Sequence, residues 1–490
     1  MSDGSIRKII PALILNITVA GLCYAQAPEY QWFKTYGGDS FDNGECIVQT
    51  DDGGFIMAGY SYDPDSNDYN ALVVKTDNVG NIIWQKLYGG PGDDGFSSIQ
   101  PTSDGGYIVA GGTEPSASEN SDLYLVKIDG DGRVEWQSTI GGRQDEYANS
   151  VIPTSDGNYL MVGLTTSYGT GYEDIYVVKT DDAGELVWSR TFGGSYFDKA
   201  FMVKETDDGN YVFVAGIDYY ALHPANTMLA KLNPNGDTIW TSVLGGNSPD
   251  ACNAFVGTSD GGFMLVGWTM SYTNGEADYY LIKTDQMGQE EWHKHYGGID
   301  RDIGRGIDVT EDGDYIVTGY STNYGAGAED IYTIKIDANG DSLWATAFGG
   351  TGMDQAMMVI QCSDGGYAVF GGTRSMGNGP GDMILVKYNA EQTGINDDNL
   401  NIPANFILQQ NYPNPFNGST VISFTVPGSD QVSLKVFDLL GREVAQLVEG
   451  IPGQGQHCMT FDAGDLASGV YVYRLQAGNR VETKKMILVK

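Results

Sequence analysis

Seven tryptophans, Trp32, Trp84, Trp136, Trp188, Trp240, Trp292 and Trp344, are separated by 52 residues each time, and only Trp268 falls outside the series. A Gly-Gly pair keeps the same interval from Gly37-Gly38 to Gly349-Gly350. An acid follows each pair: Asp42, Asp94, Glu146, Asp198, Asp250, Asp302 and Asp354. An Asp-Gly turn recurs at Asp52, Asp104, Asp156, Asp208, Asp260, Asp312 and Asp364, and a lysine at Lys75, Lys127, Lys179, Lys231, Lys283, Lys335 and Lys387. A period of this length belongs to units that cannot bury their apolar faces alone and stack on copies of themselves.

One copy, Glu146 to Gly194, decodes into four strands. Ala148–Thr154 and Tyr159–Thr165 flank the Asp156-Gly157 turn, where glycine suits a positive φ. A longer loop, Thr166–Asp174, leads to Ile175–Thr180, and a second turn leads to Leu186–Phe192, which carries the Trp. Two hairpins make one antiparallel sheet, the blade of a propeller. Ile47, Ile99, Val151, Val203, Phe255, Ile307 and Val359 hold one first-strand phase and are expected between blades. Trp32–Gly38 is a fourth strand with no preceding three, and the last copy stops after its third, Met383–Tyr388. The first strand therefore completes the last blade and removes a free sheet edge. The reading is all-β: a seven-bladed β-propeller over residues 29–390 with a strand-swapped ring closure.

Composition agrees with this architecture. With 68 Gly and 31 Tyr among 490 residues, the chain is turn-rich and aromatic. Its 64 acids against 27 Lys+Arg give a net charge of −37, which repels nucleic acid and anionic lipid. Residues 1–25 read as a signal peptide: Arg7 and Lys8 precede the apolar stretch Ile9–Leu22, and Cys23-Tyr24-Ala25 offers a cleavage site. No other segment has the length and apolarity of a transmembrane helix. Leu22 stands where a lipid-anchor signal wants a small residue, so anchoring through Cys23 is the weaker reading. Cys46 and Cys362 fall in the first and last copies, where a disulfide across the ring closure is one expectation.

Features present seven times need a structural explanation before a catalytic one. The Trp is expected to fill the gap between blades, and the lysine and the acid after Gly-Gly to pair or to cap backbone groups. Turns such as Asp129-Gly130-Asp131-Gly132 lack the further acids of a calcium loop and read as hairpins. The copies resemble propeller repeats of bacterial surface proteins, with an Asp-Gly-Gly-Tyr turn, a Lys-x-Asp strand end and a Trp before Gly-Gly. Asp77, Gly80 and Trp84 are also similar to the Trp-docking pattern of quinoprotein dehydrogenases, with a shorter Asp-to-Gly spacing and no quinone site. Thr102-Ser103-Asp104-Gly105-Gly106 matches half of a sialidase Asp-box. Neither of these two likenesses implies an activity.

After a polar linker, residues 391–401, the pattern changes. Asn411-Tyr412-Pro413-Asn414-Pro415-Phe416-Asn417 opens the tail, and Val436-Phe437-Asp438-Leu439-Leu440-Gly441-Arg442-Glu443-Val444 lies in its middle. Leu466-Ala467-Ser468-Gly469-Val470-Tyr471 and the closing run Lys484–Lys490 complete it. Residues 402–490 resemble the type A C-terminal sorting domain of the type IX secretion system, itself similar to the immunoglobulin-like domain of flagellar hook-capping proteins. The resemblance implies an Ig-like β-sandwich whose partner is the type IX machinery, and export to the cell surface or medium. The motif residues it singles out are Asn414, Pro415, Gly441, Arg442, Glu443, Gly469, Tyr471 and Lys490.

A search for chemistry finds no nucleophile elbow, zinc motif, phosphate loop or dinucleotide fingerprint in a suitable context. His293 and His295 flank Lys294 with no acid or cysteine tied to them, and His223 sits beside Pro224 in a loop. No cofactor and no metal are expected, and the chain reads as a non-enzyme and a monomer. The loops between second and third strands differ most among copies and carry aromatic rings. These are Tyr60, Tyr62, Tyr168, Tyr172, Tyr219, Tyr220, Trp268, Tyr272, Tyr320 and Tyr324. Displayed rings beside Asn, Asp and Ser suit a glycan or protein ligand. The alternatives are that the rings pack on their neighbours, or that the propeller is a polysaccharide hydrolase or lyase. A single cluster of two acids and a basic or aromatic group, unique to one or two blades and lining the central mouth, would favour the enzyme, whereas a mouth of only sevenfold-equivalent residues would favour the binder.

Overall fold

The computed structural model describes residues 27–114, 120–219, 226–273, 275–325 and 327–391, with 407–408, 411, 414–416, 419–426, 432–450, 455–464, 466–478 and 480–489 of the tail. The signal segment 1–25, Tyr220, His223, nearly all of the 391–401 linker and Lys490 lie outside the described residues. Two compact units separate, Gln26–Gln392 and one holding Thr393–Lys490.

The larger unit consists of seven four-stranded antiparallel sheets that resemble propeller blades. In the third, Glu146–Pro153, Tyr159–Thr165, Asp174–Thr180 and Leu186–Phe192 pair in that order. The two middle strands are buried along almost their whole length and read as continuous apolar runs, because each sheet packs on a neighbour through both faces. The outer strand holds only exposed and half-buried residues. Tyr30–Tyr36 pairs with Asp382–Tyr388 and completes the sheet begun by Asp354–Gln361.

Apolar clusters lie between sheets. Ile99 joins Ile56, Ala58 and Val73 of the first sheet to Tyr107 and Val126 of the second. Ile47, Phe55 and Leu72 of the first sheet pack on Ala368, Phe370 and Leu385 of the last. Each expected first-strand residue, from Ile47 to Val359, falls in such a cluster.

The tryptophans lock one sheet to the next. A Cβ on Gly80, Gly132, Gly184, Gly236, Gly288 or Gly340 would lie within 3 Å of the indole of Trp32, Trp84, Trp136, Trp188, Trp240 or Trp292, respectively. The glycine therefore receives the indole of the preceding sheet, and Trp84 reaches Gly132 while Gly80 holds Trp32. These turn glycines have positive φ, as at Gly184 with φ 80°. Trp344 instead donates from Nε1 to Glu391 at 3.1 Å.

Two expectations are corrected. Of the two roles expected for the repeated lysine, capping of carbonyls within the sheet holds, as in Lys387 to the Tyr388 carbonyl at 3.0 Å. Its carboxylate partner, however, is the aspartate of the Asp-Gly turn and not the acid after Gly-Gly, as in Lys127–Asp104 at 2.9 Å and Lys335–Asp312 at 2.6 Å. The acid after Gly-Gly accepts the N–H of the second glycine, as Asp302 does from Gly298 at 2.8 Å. Cys46 and Cys362 form no disulfide: both are free and buried, with the Cys46 thiol 3.7 Å from Met358 Sδ and Cys362 in the cluster joining the last sheet to the first. The Asp129 turn is a hairpin, its carboxylate accepting the N–H groups of Asp131 and Arg133.

In the tail, Ile407–Leu408, Ser419–Val426 and Gly455–Asp462 form one sheet. Glu443–Gly450, Val432–Phe437, Gly469–Ala477 and Arg480–Leu488 form a second. Phe424, Leu434, Val436, Tyr473, Leu475 and Met486 share one core. Among the described residues no helix is long and apolar enough to cross a membrane.

Replacing Gly184 by Ala forces a side chain into the left-handed region and against Trp136, so it should cost about 1–3 kcal/mol. Trp136→Ala should cost roughly 2 kcal/mol or more through lost packing. Denaturant unfolding measures both, and equal midpoints for wild type and variants would contradict the lock.

Candidate functional site

Every first strand carries a β-bulge at the same place. Pairing skips one residue between Gly44 and Cys46, Phe96 and Ser98, Ala148 and Ser150, Ala200 and Met202, Cys252 and Ala254, Gly304 and Gly306, and Ala356 and Met358. A bulge frees one residue from the ladder and re-aims its side chain. The second strand makes room with a glycine: a Cβ on Gly163 would sit 1.8 Å from the Tyr147 carbonyl oxygen.

The seven residues so released are Glu45, Ser97, Asn149, Phe201, Asn253, Arg305 and Met357, and all line one cavity of about 830 Å³ formed by the seven first strands. Only asparagine recurs in this ring, at positions 149 and 253, although the tryptophans, turn aspartates and lysines of the same copies repeat throughout. Lys199, Lys204 and Asp308 add charge to the same wall. The mouth is therefore not sevenfold-equivalent.

Hydrogen bonds across sheets fix the ring. Asn149 Nδ2 donates to the Ala200 carbonyl and Asn253 Nδ2 to that of Gly304, each at 2.7 Å. Asn253 Oδ1 and Arg305 Nε are buried without a hydrogen-bond partner. Asn43 Nδ2 donates to Glu45 Oε1 at 2.7 Å, and Ser97 Oγ to the Tyr147 hydroxyl at 3.1 Å.

Burial pushes the Glu45 carboxyl up to about 7, against the opposing pull of Arg305 and the Asn43 hydrogen bond. Burial, with the like charge of Arg305, holds the Lys199 amine below its usual range, while Glu173 pulls the other way. Burial likewise lowers Lys204 and raises Asp308, each partly offset by the other's charge. Asp308 accepts the Gln361 N–H at 2.9 Å.

The aromatic loop residues are placed differently from expectation. Tyr320 is not displayed: it is 1% exposed, and its hydroxyl accepts from Arg301 at 2.7 Å. Trp268 packs half-buried on Ala277, Ile303 and Tyr320, and Tyr60 lies edge-on to Tyr69, its hydroxyl raised by burial and by Glu45. Tyr62 contacts Tyr69, Tyr168 stacks on Tyr176, Tyr172 on Phe197, and Tyr324 on Tyr332. Tyr272 stacks on His293 at 4.1 Å. Tyr172 stays the most displayed of these rings at 67% exposure. The histidines do have acids: His293 faces Glu290 at 2.6 Å and His295 faces Asp278 at 3.1 Å. Among the described residues no group of three or more His, Cys, Asp or Glu is arranged to hold a metal.

In the tail, Asn414 Oδ1 accepts the Ile487 N–H at 2.7 Å, next to the cis Asn414–Pro415 bond. Gly441, with φ 78°, and Arg442 form a hairpin turn in which Arg442 Nε donates to Asp438 at 2.6 Å. Glu443 accepts from Lys435 at 3.2 Å, Gly469 opens its strand, and the Tyr471 hydroxyl donates to the Ala467 carbonyl at 2.8 Å. The turn leaves Leu439 and Leu440 exposed.

Because the fold favours protonated Glu45, its contribution to stability is full below the ordinary carboxylate range and is lost as pH rises to about 7. Glu45→Gln should remove that part of the pH dependence between about 4.5 and 7, on the order of 1–2 kcal/mol after allowing for water in the cavity. Urea unfolding at several pH values checks this; parallel profiles for both proteins would refute it.

Residues 410–490 match the family model described as the Secretion system C-terminal sorting domain. The chain thus carries the tail that sends a protein by type IX secretion to the cell surface or extracellular space. No curated protein matches the chain. Among solved structures, it is similar to PorZ, a bacterial surface component of the type IX secretion system of Porphyromonas gingivalis (11% identity, 90% of this chain and 69% of that one, TM-score 0.35). It is also similar to the β-propeller domain of the trilobed protease from Pyrococcus furiosus (11%, 74% and 100%, 0.43). A third likeness is to a fungal alcohol oxidase of the AA5 family in complex with copper (12%, 95% and 100%, 0.47). At these values no activity carries over.

Proposed function

We propose that the chain is an exported seven-bladed propeller that binds a glycan or protein ligand at its central mouth, followed by an Ig-like sorting sandwich. Seven sheets, each packed on the next and the first on the last, support the closed ring. Two sheets around one core and the Tyr471–Ala467 hydrogen bond support the Ig-like reading. Segments 1–25 and 391–401 serve as signal peptide and linker in this reading, and no cofactor takes part.

One observation carries the binding role: the seven bulges present side chains of mixed chemistry, with only Asn occurring twice, to a cavity of about 830 Å³, within the size range of ligand pockets. The mouth departs from the sevenfold-equivalent ring expected of a binder, and the binding reading rests instead on its size and its mixed polar and apolar lining. The loop rings lie outside this cavity and serve chiefly to pack the loops, as Tyr60 does on Tyr69 and Trp268 on Tyr320.

A second reading has its own support. Glu45, raised to about 7, is poised for proton transfer near neutral pH, as a polysaccharide hydrolase or lyase would require.

A glycan array probed with the mature chain, with turnover of the same glycans measured in parallel, separates the two. Binding without turnover is expected. Glu45→Gln should leave binding within about threefold but abolish any turnover, and measurable wild-type turnover would overturn the non-enzyme reading. Removal of residues 402–490 should retain the protein inside the outer membrane, and undiminished export of the truncated chain would contradict the tail's role.

A further inference from the structure

The cations of the mouth carry the argument one step further, and this step rests on the reading of the mouth as a binding site. The protein has 64 acids and only 27 Lys+Arg. Most of the repeated lysines are paired with turn aspartates. Arg305 is different. It lines the cavity from its bulge, forms no ion pair within 4 Å among the described residues, and leaves its Nε without an acceptor, while its side chain also hydrogen-bonds the Tyr320 hydroxyl. Its charge is felt by Glu45 of the first sheet and Lys199 of the fourth, both of which line the same cavity.

Two cations held in a low-dielectric lumen repel each other, and an anion seated between them relieves the repulsion of both. Around them the ring is not uniformly charged. Asn149 and Asn253 each donate an amide N–H to a carbonyl of the next sheet, which leaves the Asn149 Oδ1 as an acceptor, whereas that of Asn253 is buried as well as unpartnered. Phe201 and Met357 supply apolar surface at the same level. A carboxamide acceptor for a hydroxyl, an apolar face and a guanidinium for a planar anion together match one chemistry.

We propose that the mouth binds a carboxylated sugar unit, with Arg305 and Lys199 holding the carboxylate, Asn149 accepting from a ring hydroxyl, and Phe201 covering the apolar face of the ring. Arginine suits this task because its planar fork matches a carboxylate in two parallel hydrogen bonds. Glu45, across from Arg305, is neutral on the acid side of 7 and competes with the ligand when charged. Binding therefore strengthens as the pH falls from about 8 to 6.

Calorimetric titration of the full mature chain with glucuronic acid, with a short glucuronate oligomer and with the matching neutral glucose compounds tests the proposal. Either acidic compound should bind at least about tenfold more tightly than its neutral counterpart. Arg305→Met should erase that preference and Arg305→Lys should keep part of it, with thermal melts confirming that both variants fold. Glu45→Gln should flatten the pH dependence. Preference for the oligomer over the monomer would identify a polymer chain as the source, and equal binding a free sugar. If the chain binds neutral glycans as tightly as acidic ones, or if Arg305→Met keeps the preference, the carboxylate inference falls while the mouth still stands as a binding site. If neither the array nor these compounds bind, both fall.

Discussion

The indole set beneath a left-handed glycine turn is the contact on which the larger unit depends. It joins two things that a lone sheet cannot supply: a large apolar surface to cover and a partner shaped to receive it. The glycine matters twice, since its φ permits the tight turn and its missing Cβ admits the ring. Because the receiving turn belongs to the next sheet, every copy is incomplete until its neighbour folds. Trp344 shows the limit of the rule, for where the series of receiving turns runs out its indole N–H turns to the Glu391 carboxylate instead.

That dependence explains the distribution of charge. The outer strands and turns bear most of the acids, and the repeated lysines are spent on pinning Asp-Gly turns from within each sheet. In Lys335 the amine is almost wholly buried while the Asp312 carboxylate stays half exposed, so the pair seats the turn more than it stabilises the fold. The cations left for the lumen are few, and they stand against a strongly negative exterior. A small anionic ligand must therefore cross a repulsive field, and added salt weakens that barrier.

Much of the architecture was legible in the sequence because it is written seven times. The strand order, the inter-sheet role of Ile47 and its equivalents, and the completing strand Tyr30–Tyr36 all follow from period and phase. The mouth was not legible in the same way. Glu45 and Arg305 differ from their equivalents, and a search for repeated features passes over what varies. A signal was present: glycine at 59, 111, 163, 267, 319 and 371, in strands otherwise rich in β-branched and aromatic residues, marks the close approach of a bulge. Reading variation at the bulge phase would have pointed to Glu45, Asn149, Asn253 and Arg305. The loop tyrosines misled for the opposite reason. A ring such as Tyr320 looks displayed in a polar loop, yet spacing says nothing of what arches over it.

The strand that completes the last sheet has a consequence for biogenesis. Tyr30–Tyr36 leaves the ribosome before any of its partners exist, and its hydrogen-bonding mate Asp382–Tyr388 follows more than three hundred residues later. Until then the segment is an unmated ribbon, and the nascent sheets form an open arc with one raw flank at each end. The last sheet is completed only by a late, long-distance annealing of the oldest residues of the propeller unit to its youngest.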